Sequence, residues 1–199
     1  TMLIDNNLLS QYGAETTHIK SLETIFKEGE TPKHYYQIAK GKVKLNHYDE
    51  DGKEIIQSIL IPGQSVCELM LFIDEKYPVN SETLTPCEII TLPKDSFFKL
   101  LDDHPQISLH VNKFIAERLY RKFVIMQHNL SLKPEVRLIG VLDYFKSYSD
   151  NKEKYSFEID LTRKQMASLT GLRIETVIRT IKKMDSEKIL KLQNSKIYY

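Results

Sequence analysis

The chain has 199 residues, and its 28 Lys+Arg nearly balance its 27 Asp+Glu, leaving a net charge of +1 with neutral histidines. With 41% hydrophobic and 28% charged residues the composition is that of an ordinary globular protein. That excludes a disordered tail, a collagen-like fibre and a disulfide-stapled miniprotein.

The longest apolar runs fall far short of the ~20 residues that span a bilayer, and no positively charged start leads into an apolar signal segment. No membrane association is therefore expected. Two cysteines, Cys67 and Cys87, make no disulfide framework, so the expected compartment is a reducing cytoplasm.

From about Ile25 to Leu92 the sequence predicts short strands and tight turns. Gly29-Glu30, Lys40-Gly41, Asp51-Gly52 and Pro62-Gly63 punctuate it at regular intervals, and apolar residues alternate between them: Tyr36 and Ile38, Val43 and Leu45, Ile55 and Ile59. Asp51-Gly52 reads as a hairpin turn between Val43–Tyr48 and Lys53–Leu60. Glu82–Thr85 and Glu88–Leu92 close an all-β unit of sandwich or roll type. At Pro93-Lys94-Asp95 the pattern turns helical, with Asp95 as cap of a short helix through Leu101.

A longer helix is predicted from about Gln106 to Leu130, where there is no Gly or Pro. One apolar stripe holds Ile107, Val111, Ile115, Leu119 and Phe123, and Phe114, Ile125 and Met126 add a second. One stripe serves packing on the β-unit; the second calls for another cover, most simply the same helix of a second subunit. A single broad buried face is the alternative. Lys133-Pro134 then breaks the helix, and Val136–Tyr148 is helical again with Leu138, Val141, Leu142 and Phe145 on one side. The predicted domains are residues 1–130 and 131–199. The second holds 14 Lys+Arg against 9 Asp+Glu, the first 14 against 18, so a polyanionic partner is expected for the C-terminal part alone.

Leu161–Lys183 carries the most information. Thr162 caps a short helix from Arg163 to Thr170, Gly171 marks a tight turn, and a second helix starts near Ile174 and runs past Met184. Small Ala167, the glycine and apolar Val177 let two helices cross closely, which is the packing of a helix-turn-helix. Met166, Leu172, Val177 and Ile181 fill the shared core, leaving Arg173, Glu175, Thr176, Arg179 and Lys182 outside. Arg179 can bond guanine N7 and O6, and Glu175 can accept from a cytosine amino group. Thr162, Arg163, Lys164 and Thr176 suit phosphate oxygens. Ile189–Leu192 and Lys196–Tyr199 around Gln193-Asn194-Ser195 read as a hairpin wing. The partner these features indicate is double-stranded DNA.

Both halves resemble the Crp/Fnr family of bacterial transcription regulators. The β-part matches in Phe26–Glu30, in Tyr36–Lys44 and in Gly63–Phe72; the C-terminal part matches in Thr162-Arg163, Gly171, Glu175-Thr176-Val177 and Arg179. The resemblance implies an α+β chain: an N-terminal cyclic-nucleotide-binding-type β-roll (a double-stranded β-helix of jelly-roll type), a dimerisation helix at about 106–130, and a C-terminal winged helix-turn-helix. It implies a homodimer on a near-palindromic site, with RNA polymerase as a further partner if the protein activates transcription.

It also implies an effector pocket around Cys67, Glu68, Leu69, Val79, Asn80 and Ser81. Cyclic-AMP-binding relatives hold the phosphate with an Arg-Ser pair; here that place falls near Tyr77–Ser81, and residues 61–100 contain no arginine. Cyclic nucleotide is therefore not expected, since Lys76 alone could supply a cation and lacks the planar fork. The roll either binds an unidentified small molecule or serves only as a scaffold. An iron–sulfur cluster is not expected either, because no cysteine precedes Cys67. None of the six histidines shows metal-ligand spacing, so no metal site is expected. Cys67, expected in a strand, reads better as a small buried hydrophobe than as a redox sensor.

Relatives often carry arginine just before the Glu-Thr-Val; here Ile174 stands there, suited to a thymine methyl, and a different half-site is expected. No catalytic residue is expected, for there is no phosphate-cradling Gly-rich loop, nucleophile elbow or His-Glu metal motif. The expected function is that of a sequence-specific DNA-binding regulator. The alternative is a ligand-binding module whose helix-turn-helix serves protein contacts.

Overall fold

The computed structural model describes residues 3–149 and 151–199. The chain forms two compact units, one up to Glu117 and one from Arg118 onward. The division falls inside a helix rather than at 130/131, where the predicted break at Lys133-Pro134 places it.

The first unit begins with helix α1 (Asn6–Gln11), capped by Asp5, whose carboxylate accepts from the Asn7 and Leu8 N–H groups at 2.9 and 3.1 Å. Strands follow: β1 (Glu15–Ile19), β2 (Thr24–Phe26), β3 (His34–Lys40), β4 (Val43–Tyr48), β5 (Glu54–Leu60), β6 (Asn80–Thr83) and β7 (Cys87–Pro93). They form two antiparallel sheets, β1-β7-β3 and β2-β6-β4-β5. Phe26, Ile38, Val43, Leu45, Leu60, Val79 and Ile89 pack into one core. Each such side chain contributes roughly 1.5–3 kcal/mol relative to exposure.

The strands β3 and β7 are buried on both faces. Tyr35, Ile90 and Leu92 pack with Leu9 of α1, with Phe97 and Leu100 of α2 (Lys94–Asp103), and with Val111 of α3 (Pro105–Asn129). Tyr35 stacks on Phe97 at 4.6 Å. The β4–β5 hairpin has the expected position, with the Asp49 carboxylate accepting from the Asp51 and Lys53 N–H groups. One expectation fails on β5. A register shift between Leu45 and Asn46 puts Ile55 opposite His47 and Ile59 opposite Lys44, so the two isoleucines lie on opposite faces and Leu60 joins the core instead.

Two further corrections concern local signals. Asp95 lies in the first turn of α2 and caps nothing; the helix follows Pro93 directly, and the acidic side chain suits the positive end of the helix dipole. Strand β1 and helix α1 precede the region read as β, because Glu15–His18 is exposed and lacks an apolar alternation.

The second unit holds the end of α3, α4 (Pro134–Lys146), α5 (Arg163–Thr170), α6 (Ile174–Ser186) and a three-stranded sheet, β8 (Glu158–Ile159), β10 (Lys196–Tyr198) and β9 (Lys191–Gln193), in that order. Pro134 occupies the first turn of α4, where its missing N–H leaves no partner wanting. Leu138, Val141, Leu142, Met166, Val177, Ile181, Met184 and Ile197 are buried.

Along α3 the predicted stripes part company. Val111 is buried and Ile107 and Ile115 pack against the first unit's core, whereas Leu119, Phe123 and Met126 are exposed, as are Tyr120 and Leu130.

Candidate nucleic-acid interface and roll interior

The helix-turn-helix is built from local chemistry. The Thr162 hydroxyl accepts from the Gln165 N–H at 3.1 Å, and the Gln165 side chain accepts from the Thr162 N–H at 2.8 Å, a reciprocal capping box. At the other end Gly171 has φ +70°, the left-handed conformation that closes a helix and that a side chain would strain.

The last carbonyls of α5 find donors outside the helix. Arg137 donates Nη1–H to the Thr170 carbonyl at 3.2 Å and Nε–H to the Ser131 carbonyl at 2.6 Å, and Asn129 donates to the Leu169 carbonyl at 3.1 Å. These two residues come from α4 and from the end of α3. The same corner depends on Gly140: a Cβ there would lie 2.6 Å from His128 Cβ, so α3 and α4 meet with no room for one.

Above this core α6 presents its outer face. Arg173, the residue before the helix, is exposed, as are Ile174, Glu175, Arg179 and Lys182; Thr176 is half-buried. Among the described residues, the side chains of Arg173, Glu175, Thr176, Arg179 and Lys182 have no hydrogen bond or ion pair within the chain. Lys164 and Thr162 are exposed on α5 and at its cap.

Arg163 differs from the other predicted phosphate contacts. Its guanidinium donates to the Ser195 carbonyl at 3.1 Å in the wing turn, and burial pushes its pKa below the usual arginine value. It ties α5 to the wing. The wing turn itself is two residues long, Asn194 and Ser195 both at positive φ, with Gln193 paired to Lys196. Strand β8 adds a third strand through Glu158, which bonds Lys196 at 2.8 Å and accepts from the Tyr198 hydroxyl at 3.1 Å. Lys183 reaches Glu135 of α4 at 3.1 Å, anchoring α6 from behind.

Sequence reasoning passed over Arg137, Asn129 and Ile178. The first two sit among ordinary helical residues and act only through the fold. Ile178, 39% exposed, is legible in principle, four residues after Ile174 on the face already assigned.

The roll interior departs from the predicted pocket. Cys67 is not in a strand: it lies at φ +53°, ahead of the tight helical turn Glu68–Phe72. A non-glycine residue there costs about 1–3 kcal/mol of strain. Glu68 is buried, but Leu69 is 40% exposed and does not line the interior. Val79 belongs to the core, and Asn80 is used to join strands: it accepts from the Glu28 N–H at 3.0 Å and donates to the Asn46 carbonyl at 3.4 Å. Ser81 is buried with its hydroxyl unpaired.

Tyr77 opens the segment Tyr77–Ser81, near which the resemblance puts the phosphate-binding Arg-Ser pair. Its ring is buried and stacks on Phe26 at 3.7 Å, and burial raises its pKa, keeping the phenol neutral. Lys76 is exposed. Lys44, a buried cation on β4, is committed to Glu54 and to Glu82.

Among the described residues no group of three or more His, Cys, Asp or Glu is arranged to hold a metal ion, and no helix is long and apolar enough to cross a membrane.

Comparison with known proteins agrees with this architecture. Residues 16–104 match the sequence model of the cyclic nucleotide-binding domain, and residues 136–198 match that of the Crp-like helix-turn-helix domain. The cAMP-activated global transcriptional regulator CRP of Pasteurella multocida is 27% identical over 174 residues, covering 85% of this chain and 82% of its own. Among solved structures, a CooA mutant from Carboxydothermus hydrogenoformans superposes with a TM-score of 0.81 at 15% identity over 100% of this chain and 91% of that one. The c-di-GMP-responsive global regulator CLP of Xanthomonas campestris gives 0.77 at 18% identity over 98% of both chains. A β-roll, a long helix and a capped helix-turn-helix with a wing, matched by sequence in both units, place the chain in the Crp/Fnr family of DNA-binding transcription regulators.

Proposed function

We propose that the protein acts as a homodimer, seating two α6 helices about 34 Å apart in successive major grooves of a near-palindromic site, with no cyclic nucleotide required in the roll. The observation that carries this reading is the outer face of α6: charged and polar side chains without internal partners, held over a core fixed by Arg137, Asn129 and Gly171. On that face Arg179 donates to guanine and Glu175 accepts from cytosine. Lys164, Lys182 and Thr162 serve phosphate oxygens, and Arg163 acts chiefly through the wing.

The exposed stripe Leu119, Phe123 and Met126 on α3 supports the dimer, since these residues recur at helical spacing and the chain itself leaves them uncovered. Light scattering should give twice 23.3 kDa; a monomer mass refutes the dimer.

For cyclic nucleotide, the residues do not fit. Residues 61–100 contain no arginine, the Tyr77 ring at the start of the Tyr77–Ser81 segment stacks on Phe26, and Lys44 pairs with two glutamates. A buried cyclic phosphate without a cation forfeits several kcal/mol of charge-assisted bonding. Calorimetry with cyclic AMP should show no submicromolar binding.

The setting that suits these properties is the cytoplasm, and RNA polymerase is the further partner if the protein activates. The deciding experiment is selection of bound duplexes from a random pool with no ligand added. Enrichment of an inverted repeat one helical turn between half-site centres supports both dimer and ligand independence. Enrichment that appears only with an added small molecule refutes the independence, and none under either condition refutes specific DNA binding.

A further inference from the structure

We infer that Ile174 and Ile178 form an apolar ladder on α6 that reads two thymine methyl groups, so that each half-site carries two thymines within two base steps of each other. This rests on the DNA-reading role proposed above for α6 and adds the side chains that set its preference.

The buried stripe of α6 is complete without them: Val177, Thr180, Ile181 and Met184 fill the contact with α4 and α5. Ile174 and Ile178 instead stand 40% and 39% exposed on the outer face. At i and i+4 they are neighbours about 5–6 Å apart, against a rise of about 3.4 Å per base pair. Two methyl groups one or two steps apart therefore fall within reach of both. Branching at Cβ fixes χ1 in a helix, so the pair is rigid before binding and loses little freedom on contact.

The neighbours of the ladder select the partner. Glu175 and Arg179 form a parallel polar row one residue on, with Arg173 before the ladder and Lys182 after it. An apolar protein partner laid on the isoleucines would desolvate this charge without compensation. In a major groove the cations meet phosphates and guanine edges while the isoleucines meet the apolar groups that thymine presents there.

The probe is deoxyuridine, which keeps every hydrogen-bonding group of thymidine and lacks only the methyl. Wild-type protein is titrated with the half-site recovered by selection, each thymidine replaced in turn. Replacement at two positions should weaken binding about fourfold each, the factor associated with burying one methyl group. Ile178→Ala, shown to be folded by circular dichroism, should abolish the effect at one of the two and retain the other. The slope of log affinity against log salt should not change, because no phosphate contact is lost. If every replacement is neutral in a duplex that is still bound specifically, the ladder is refuted and the DNA reading stands. If no duplex is selected at all, both fall.

Discussion

The close approach of α3 and α4 can be tested by filling the one position that permits it. Replacing Gly140 with alanine adds a Cβ 2.6 Å from His128 Cβ and 2.7 Å from His128 Cγ, distances real Cβ atoms essentially never reach. Overpacking of this kind costs about 1–3 kcal/mol. Alanine in a helix interior returns about 1 kcal/mol of propensity over glycine. The expected net effect of Gly140→Ala is a destabilisation of about 1 kcal/mol, lowering the melting temperature of a unit this size by roughly 4–8 °C. His128→Gly removes the three atoms nearest the new methyl, so in that background Gly140→Ala should change sign and stabilise by up to about 1 kcal/mol. Urea unfolding followed by circular dichroism measures all four corners of the cycle. An equal cost for Gly140→Ala in both backgrounds refutes the contact. The cycle also bears on DNA binding, because Asn129 and Arg137 near this crossing hold the end of α5.

Further expectations follow from the same geometry. Thr162→Ala removes the capping box and should cost about 1 kcal/mol of unfolding free energy, measurable by urea titration; no change would mean the cap is idle. Arg179→Ala should lose about 1–3 kcal/mol of preference at one guanine position in a mobility-shift competition, with site preference otherwise kept; unchanged preference at every position removes Arg179 from base reading. Glu158 and Glu88 are held below the usual glutamate value by hydrogen bonds to Lys196 and Lys40. A lowered folded pKa gives stability that is fully present above the ordinary glutamate value of about 4.5 and is lost as pH falls through the folded value. Glu158→Gln should therefore destabilise the wing at neutral pH and flatten the acid limb of its stability curve, read by amide exchange of Lys191–Tyr198; an unchanged acid limb counts against the pair.

Much of the second unit was legible because its signals are local. Thr162 and Gly171 act within one or two helical turns, and the apolar spacing of Met166, Val177 and Ile181 reports a buried stripe wherever the helices meet. The charged face of α6 was legible for the complementary reason, that residues off the buried stripe must face out. The strands of the roll were found from their turns, and the faces of β3 and β4 from the alternation of Tyr36 and Ile38 and of Val43 and Leu45, but the face of β5 was not: the bulge beside Leu45 reverses the alternation there, and nothing in Ile55–Ile59 announces it.

The candidate pocket shows the limit most clearly. Sequence alone established that residues 61–100 lack an arginine, and hence that a phosphate-binding fork is missing there. Only the tertiary structure decided how the residues expected around that pocket are arranged: Tyr77 stacks on Phe26, Leu69 turns outward and Cys67 takes a left-handed backbone. Likewise helical periodicity showed two apolar stripes on α3 and left open one broad buried face, while folding decided that Leu119, Phe123 and Met126 stay uncovered within the chain. The physical reason is common to all three. Propensity, capping and periodicity are properties of neighbours along the chain, whereas the burial of Tyr77, the donors to the α5 carbonyls and the room left by Gly140 are set by residues distant in sequence that meet only when the core closes.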